Sequence, residues 1–394
     1  MEASESVNEA RQRSERQKQE KQKRLEELEA TRRVASEKAK KMVKKLNATP
    51  FWEKWGDPIG YAAIGAVVVA LLVINYTGDR RRPSDIPVNE DIYIQAHNED
   101  KGHGYKLEKN AFFEGLNLGS VRDLFRHSLS DKKAYTKCDM SPLSGVSIPD
   151  SYNFYAEHAN CRSTEAQKKC AAGYVELPVS VVKDRLCKAG QTEAFEPSVE
   201  YLLGCNAKAN GCKGGSIMST LAALRKGVIA KSCWDEKVGP SEPEKDKKDK
   251  KETCPAEKIT ECEKKGIDAY CHFEGVNHIK REIKQNGPVV SIMPPFRDFF
   301  VYKSGIFAPE DRGKVEGIVF VKIVGWELDA DMRENWLVEP LWGQDWGQEG
   351  LARVKVGAED SLIEQYAFAL YPTLDAEKSE GQIRGKPEAY VEDD

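Results

Sequence analysis

Apolar and polar positions alternate differently in successive parts of the chain. Ile59 to Tyr76 reads IGYAAIGAVVVALLVINY, 18 residues without a charge and apolar on every face. That length predicts a transmembrane helix, and Trp52, Trp55 and Tyr76 sit where interfacial anchors belong. From about 167 to 230 the apolar residues recur at helical spacing, as Val175, Leu177, Val179, Val182 and Leu186, then Met218, Leu221, Leu224 and Val228. From about 288 to 372 the pattern is that of strands: PVVSIM, GIVFVKIVGW, NWLVEPL, GLARVKV and QYAFALY are short β-rich runs parted by Gly, Asp and Pro signals. A helical half followed by an antiparallel half predicts an α+β fold of two lobes.

The polar stretches set the boundaries. Residues 1–46 lack Pro and Gly and are rich in Arg, Lys, Glu, Gln and Ala, so 1–55 is expected to be a charged helical segment. A thin heptad through Leu25, Leu28, Ala35, Ala39, Met42 and Leu46, broken by Arg32, leaves a solvated helix and a coiled coil to a partner both open. The span occupies 56–77, and 78–90 (GDRRRPSDIPVNE) reads as a linker. Residues 237–253 (KVGPSEPEKDKKDKKET) read as an exposed lysine-rich loop, and 374–394 as a polar, acidic tail.

Charge adds an orientation. Residues 1–55 hold 15 Lys/Arg against 10 Asp/Glu, and the remainder 45 against 54. Six lysines (38, 40, 41, 44, 45, 54) precede the span and Arg80, Arg81 and Arg82 follow it. The positive-inside rule then predicts a type II, single-pass protein with everything beyond Gly78 translocated. A cleaved signal peptide is not expected behind so long a charged segment. No nucleic-acid partner is expected at a net charge of -4.

All ten cysteines lie between Cys138 and Cys271, which suits disulfides in an oxidising compartment, the secretory lumen or the mitochondrial intermembrane space. A zinc site is the competing reading, yet there is no Cys-x-x-Cys pair, and His97, His103, His127, His158, His272 and His278 form no ligand pattern. No metal or cofactor is expected. No Asn-x-Ser/Thr occurs beyond residue 78, which leans toward an oxidising space outside the glycosylating pathway.

IPDSYNFYAEHANC (148–161), QKKCAAG (167–173), VVKDRLC (181–187), GCKGG (211–215), IKREIKQNGPVV (279–290), FFVYKSGIF (299–307), VKIVGW (321–326), NWLVEPLWGQDWGQEG (335–350) and YAFALYP (366–372) follow one another along the chain. In that order they resemble the papain-like cysteine proteases, most closely the cathepsin B and X branch. The resemblance implies a papain-like domain over 148–373, with a helical lobe and an antiparallel β-barrel lobe. NAFFEGLNLGSVRDLFRHSL (110–129) is similar to the short propeptide of that branch, so 91–147 is expected to lie over the cleft. The family pattern also implies the disulfides Cys161–Cys187 and Cys170–Cys212, with Cys205–Cys233 beside them; Cys138, Cys254, Cys262 and Cys271 have no guide.

In that family a thiol at a helix N-terminus is ionised by an imidazole, an asparagine orients the imidazole, and a glutamine helps hold the oxyanion. The matching positions here are Gly173 for the thiol, Val319 for the imidazole and Pro340 for the asparagine, followed by Leu341. Tyr174 stands where the family has tryptophan, and only the glutamine is kept, as Gln167. Hydrogen, an isopropyl group and a pyrrolidine ring neither attack a carbonyl nor move a proton. A rewired site through Cys170 with His158, His272 or His278 is the remaining catalytic option. Trp342 and Trp346 are kept, as β-lobe packing or as a ligand platform. The expectation is no enzyme but a membrane-anchored binding or scaffolding module, with a peptide in the vestigial cleft as one partner. An accessory subunit of a large membrane complex is the alternative, Gly60, Ala62, Ala63, Gly65 and Ala66 allowing close helix approach.

Overall fold

The computed structural model describes residues 82–100, 102–129, 135–163, 165–167, 169–191, 195–206, 208–239, 254–308, 315–358, 361–374 and 386–387. All of them belong to the second of two compact units, Arg81–Asp394. The expected charged helix, transmembrane span and most of the lysine-rich loop lie outside the described residues. Among the described residues no helix is long and apolar enough to cross a membrane.

The helices in chain order are α1 (Asp91–Glu99), α2 (Leu118–Leu124), α3 (Gly173–Lys188), α4 (Val199–Cys205), α5 (Ile217–Lys226), α6 (Lys231–Lys237) and α7 (Val276–Asn286), besides single helical turns. The strands are β1 (Tyr105–Leu107), β2 (Cys138–Asp139), β3 (Tyr152–Asn153), β4 (Val228–Ile229), β5 (Lys264–Lys265), β6 (Ile267–Phe273), β7 (Val289–Met293), β8 (Tyr302–Phe307), β9 (Val319–Leu328), β10 (Glu334–Glu339), β11 (Ala352–Lys355), β12 (Ala367–Pro372) and β13 (Lys386–Pro387).

Helix α3 is the spine between the lobes. Val175, Leu177, Val179, Val181, Val182 and Leu186 are all buried, because α4 and α5 pack on one side and β7, β9 and β12 on the other. Pro178 stands inside this helix and removes one backbone donor; burial on every side overrides that local penalty. Apolar residues of α3, α4 and α5 and the facing strand residues Val290, Ile292, Phe320, Phe368 and Leu370 form one core, and the β lobe forms the other.

The main sheet runs β1-β8-β11-β10-β9-β7-β12-β6, with β3 added on β9. All of these pairs are antiparallel except β8 with β11, which is parallel at Arg353↔Ile306. Every position of β7 is buried, as a strand covered on both faces must be. The α+β, papain-like expectation describes this architecture.

Three features depart from the sequence reading. The edge strand β1 comes from the segment before the two lobes, and Tyr105 pairs with Gly305. Residues 86–90 are no linker. Val88 is fully buried, its N–H donates to Leu116 O at 2.9 Å, and Leu118 N–H donates back to Ile86 O at 3.0 Å. An apolar residue with a pairing backbone neighbour is drawn into the core despite the polar flanks. Finally, Cys205 does not pair with Cys233. The bonds are Cys205–Cys254 and Cys233–Cys262, which join α4 and α6 to the far side of the lysine-rich insertion. Cys161–Cys187 and Cys170–Cys212 stand as the resemblance implied, and Cys138 pairs with Cys271. Five disulfides place this body in an oxidising compartment.

Candidate functional site

The sequence around Gly173 makes a helix start without a capping side chain. Ala172 is the N-cap and has no side-chain oxygen to offer, so the positive end of the helix dipole at Gly173 carries no side-chain cap. The turn before it is pinned by Cys170–Cys212 and by Ala171 N–H donating to Cys212 O at 3.2 Å. Gln167 is buried, and its N–H donates to Leu341 O at 2.7 Å. Its Oε1 lies 3.4 Å from where a β-carbon on Gly173 would stand. The helix dipole and the oxyanion-type amide are therefore both in place.

Val319 opens β9 opposite Met293 of β7 and is buried. Pro340 follows β10, also buried, and Leu341 after it takes a left-handed φ of 60°. Leu341 reaches Gln167 as described, and Phe320, next to Val319, reaches the ring that faces Gly173. Trp342 and Trp346 are buried rather than open to a ligand. Trp342 stacks on Phe112 at 5.9 Å and meets Trp346 edge-on at 5.0 Å, while Trp346 Nε1 donates to Phe299 O at 3.0 Å.

The ring facing Gly173 is His127. Its Nε2 lies 3.6 Å from the same hypothetical β-carbon. Its centroid is 5.1 Å from that of Phe320 and 5.7 Å from that of Tyr174. The Nδ1 atom is buried without a hydrogen-bond partner, and burial pushes the imidazole down to about 4, so it is neutral at physiological pH. Nothing in its composition marked this histidine. The only signal was its place in the stretch 110–129.

Residues 125–128 thread the cleft by backbone contacts. Ile318 N–H donates to Phe125 O at 2.9 Å and Ser128 N–H donates to Gly215 O at 3.1 Å. A side chain at Gly214 would collide with the Arg126 carbonyl oxygen, and one at Gly317 would stand 2.5 Å from that of Phe125; both glycines have positive φ. Phe112, Phe113 and Phe125 belong to the same core as Phe299, Phe300, Trp342 and Trp346.

Polar contacts add to the hold on this segment. Tyr105 OH donates to Asp298 Oδ2 at 2.6 Å, and Tyr93 OH also donates to Asp298. Arg297 pairs with Glu90 and lies 3.6 Å above the Tyr93 ring. His97 stacks on His103 at 4.0 Å, and burial lowers its affinity for a proton.

Beneath the site Lys322 is buried between two carboxylates. Its Nζ donates to Asp184 Oδ2, Glu339 Oε2 and Ser180 Oγ, each at 2.7 Å. Tyr155 OH donates to Glu339 Oε2 at 2.8 Å. Burial pushes Asp184 up to about 6 against the pull of Lys322.

The rewired option through Cys170 finds no free thiol. All ten cysteines are in disulfides, Cys170 included. His158 packs on Phe154 at 4.8 Å, His272 Nε2 is 3.1 Å from Gln365 O, and His278 Nδ1 is 2.9 Å from Glu274 O.

Residues 148–371 match the family described as papain family cysteine protease. Among curated proteins, cathepsin B-like CP3 of Giardia intestinalis is 26% identical over 270 residues, covering 64% of this chain and 85% of its own length. A gut-specific cysteine proteinase of Caenorhabditis elegans is 27% identical over 324 residues, covering 72% and 94%. Tubulointerstitial nephritis antigen of Bos taurus is 29% identical, covering 53% of this chain and 49% of its own. Among solved structures, procathepsin B S9 of Trypanosoma congolense superposes with a TM-score of 0.63 at 24% identity, over 73% of this chain and all of its own.

Proposed function

The chain belongs to the papain family of cysteine proteases, and we propose that it is a member without peptidase chemistry, serving as a folded binding and scaffolding body. One observation carries this reading. The three positions where the family keeps thiol, imidazole and amide hold Gly173, Val319 and Pro340, while every cysteine is consumed in a disulfide. An oxyanion-type amide at Gln167 and a helix N-terminus without nucleophile or base leave at most weak residual catalysis. The groove at Gly173 holds Phe125–Ser128 of the chain itself, so an outside peptide would have to displace them. Partner contacts are then expected elsewhere on the body. The test is to incubate the purified full chain with fluorogenic peptide substrates and a thiol-directed epoxide at acid and neutral pH. Absence of turnover and of labelling is expected; turnover that survives further purification would sink the reading.

A second reading concerns assembly. With the apolar run 59–76 as an anchor and the disulfide-bonded body on the oxidising side, the chain would be an accessory subunit of a membrane complex. The absence of sequons beyond residue 78 favours the mitochondrial intermembrane space over a glycosylating lumen. Native mass after gentle solubilisation decides this. A large assembly of fixed stoichiometry is expected, and migration as a lone 44.2 kDa chain plus detergent would count against it.

A further inference from the structure

We propose that the cleft-filling segment is covalently latched to the body by Cys138–Cys271, so that cutting the chain after it does not open the cleft. The inference rests on the reading of the cleft as closed by residues 125–128, and concerns what keeps it closed.

Cys138 lies in β2, ten residues beyond the last cleft residue, Ser128. Its partner Cys271 is fully buried in β6, the last strand of the main sheet. The backbone follows the disulfide: His272 N–H donates to Thr136 O at 2.8 Å, and the backbone of β13 pairs with β2. Beyond this anchor Leu143 is still fully buried, while the residues on either side of it are open to solvent. Ser141, Pro142, Ser144, Gly145 and Ser147 are exposed, and a β-carbon at Gly145 would meet nothing within 4 Å. The chain is held again at Pro149, whose carbonyl accepts from Trp326 Nε1 at 2.9 Å.

The order of these features along the sequence decides the outcome. A cut between Gly145 and Val146 splits the protein into 1–145 and 146–394. Of the ten cysteines only Cys138 lies in the first piece, so Cys138–Cys271 is the single covalent link between the pieces. A segment tethered ten residues from its groove rebinds as an intramolecular event, at an effective concentration on the order of millimolar. Untethered, the same segment would be lost by dilution once it left. The bond thus converts a cleavable pro-segment into a permanent part, released only by a cut together with reduction.

The experiment places a seven-residue protease recognition sequence between Gly145 and Val146 of the full chain and cuts it. Denaturing electrophoresis without reductant is expected to give one band, and two after reduction. At nanomolar concentration, gel filtration of the cut native protein is expected to show both pieces together. In the cut Cys138→Ser/Cys271→Ser protein, retention of the first piece should fall by at least about tenfold. The proposal is overturned if the cut wild-type chain separates without reductant, or if the double variant keeps its first piece as well as the wild type does. The electrophoretic arm needs no variant to fold. Peptide hydrolysis by the cut protein, measured alongside, reports on the lack of chemistry separately from the latch.

Discussion

The Nε2 of His127 stands 3.6 Å from the point where a β-carbon on Gly173 would lie, with Gln167 Oε1 3.4 Å from the same point. The glycine and the histidine are complementary in size. One removes the side chain that the family places at the helix start, and the other brings a ring to the space in front of it. The ring comes from the segment that closes the cleft rather than from the strand where the family keeps its base.

Gly173→Cys tests what that space allows. A β-carbon there meets its neighbours at ordinary contact distance, and the residue's φ is not positive. The variant is expected to fold with stability within about 1 kcal/mol of the wild type. No turnover of peptide substrates is expected from it, because Val319 takes no proton and residues 125–128 stay in front of Gly173. Urea unfolding and a peptidase assay check the two halves, and turnover above wild type would show that His127 serves as a base.

Closure of the cleft should weaken in acid. Docked, His127 titrates at about 4 against an ordinary 6.5, so between these values the undocked segment binds more protons than the docked one. Docking therefore strengthens as pH rises. Its full contribution is present above about pH 6.5 and falls as pH drops toward 4, by up to about 3 kcal/mol. His97, also held below its ordinary value by burial, acts with the same sign. Amide hydrogen exchange of residues 105–128 at pH 7 and pH 4.5 is the measurement. His127→Gln should remove most of the pH dependence, and an unchanged dependence would assign it to other groups.

Gly214→Ala and Gly317→Ala should expel the segment without unfolding the lobes. Each substitution sets a methyl group against a carbonyl of Phe125 or Arg126, and each φ, +88° and +132°, disfavours alanine. A loss of about 2 kcal/mol or more in docking is expected. Limited proteolysis should then cut within 102–129 faster than in the wild type while the 148–373 body resists. Equal protection in the variants would place the segment elsewhere.

Lys322→Met should be among the most damaging single changes. It leaves Asp184 and Glu339, both buried, without their cation, at a cost of about 3–5 kcal/mol at pH 7. Buried carboxylates without a cation take up protons in the folded state. The variant then binds more protons folded than unfolded, and its stability should fall as pH rises. Thermal unfolding at pH 5 and pH 7 should therefore show a smaller deficit at pH 5.

Residue order alone determined much of this protein. The run of motifs from IPDSYNF to YAFALYP specifies two lobes around α3, because helical and two-residue periodicities are local properties and those motifs keep their spacing. The same register places Gly173, Val319 and Pro340, and the intact spacing carries over Cys161–Cys187 and Cys170–Cys212.

Tertiary structure alone decided the rest, where contacts join residues far apart in sequence. Cys205 chooses Cys254, 49 residues away, over Cys233, because the chain returns beside α4 only after the lysine-rich insertion. Cys138 finds Cys271 across 133 residues, a distance that no local pattern encodes. Val88 is buried because residues 116–118 fold back on it, although its polar neighbours suggest a linker. His127 gains its meaning only from Gly173, 46 positions along the chain, since whether an imidazole is a surface residue or a plug depends on the surface that closes over it.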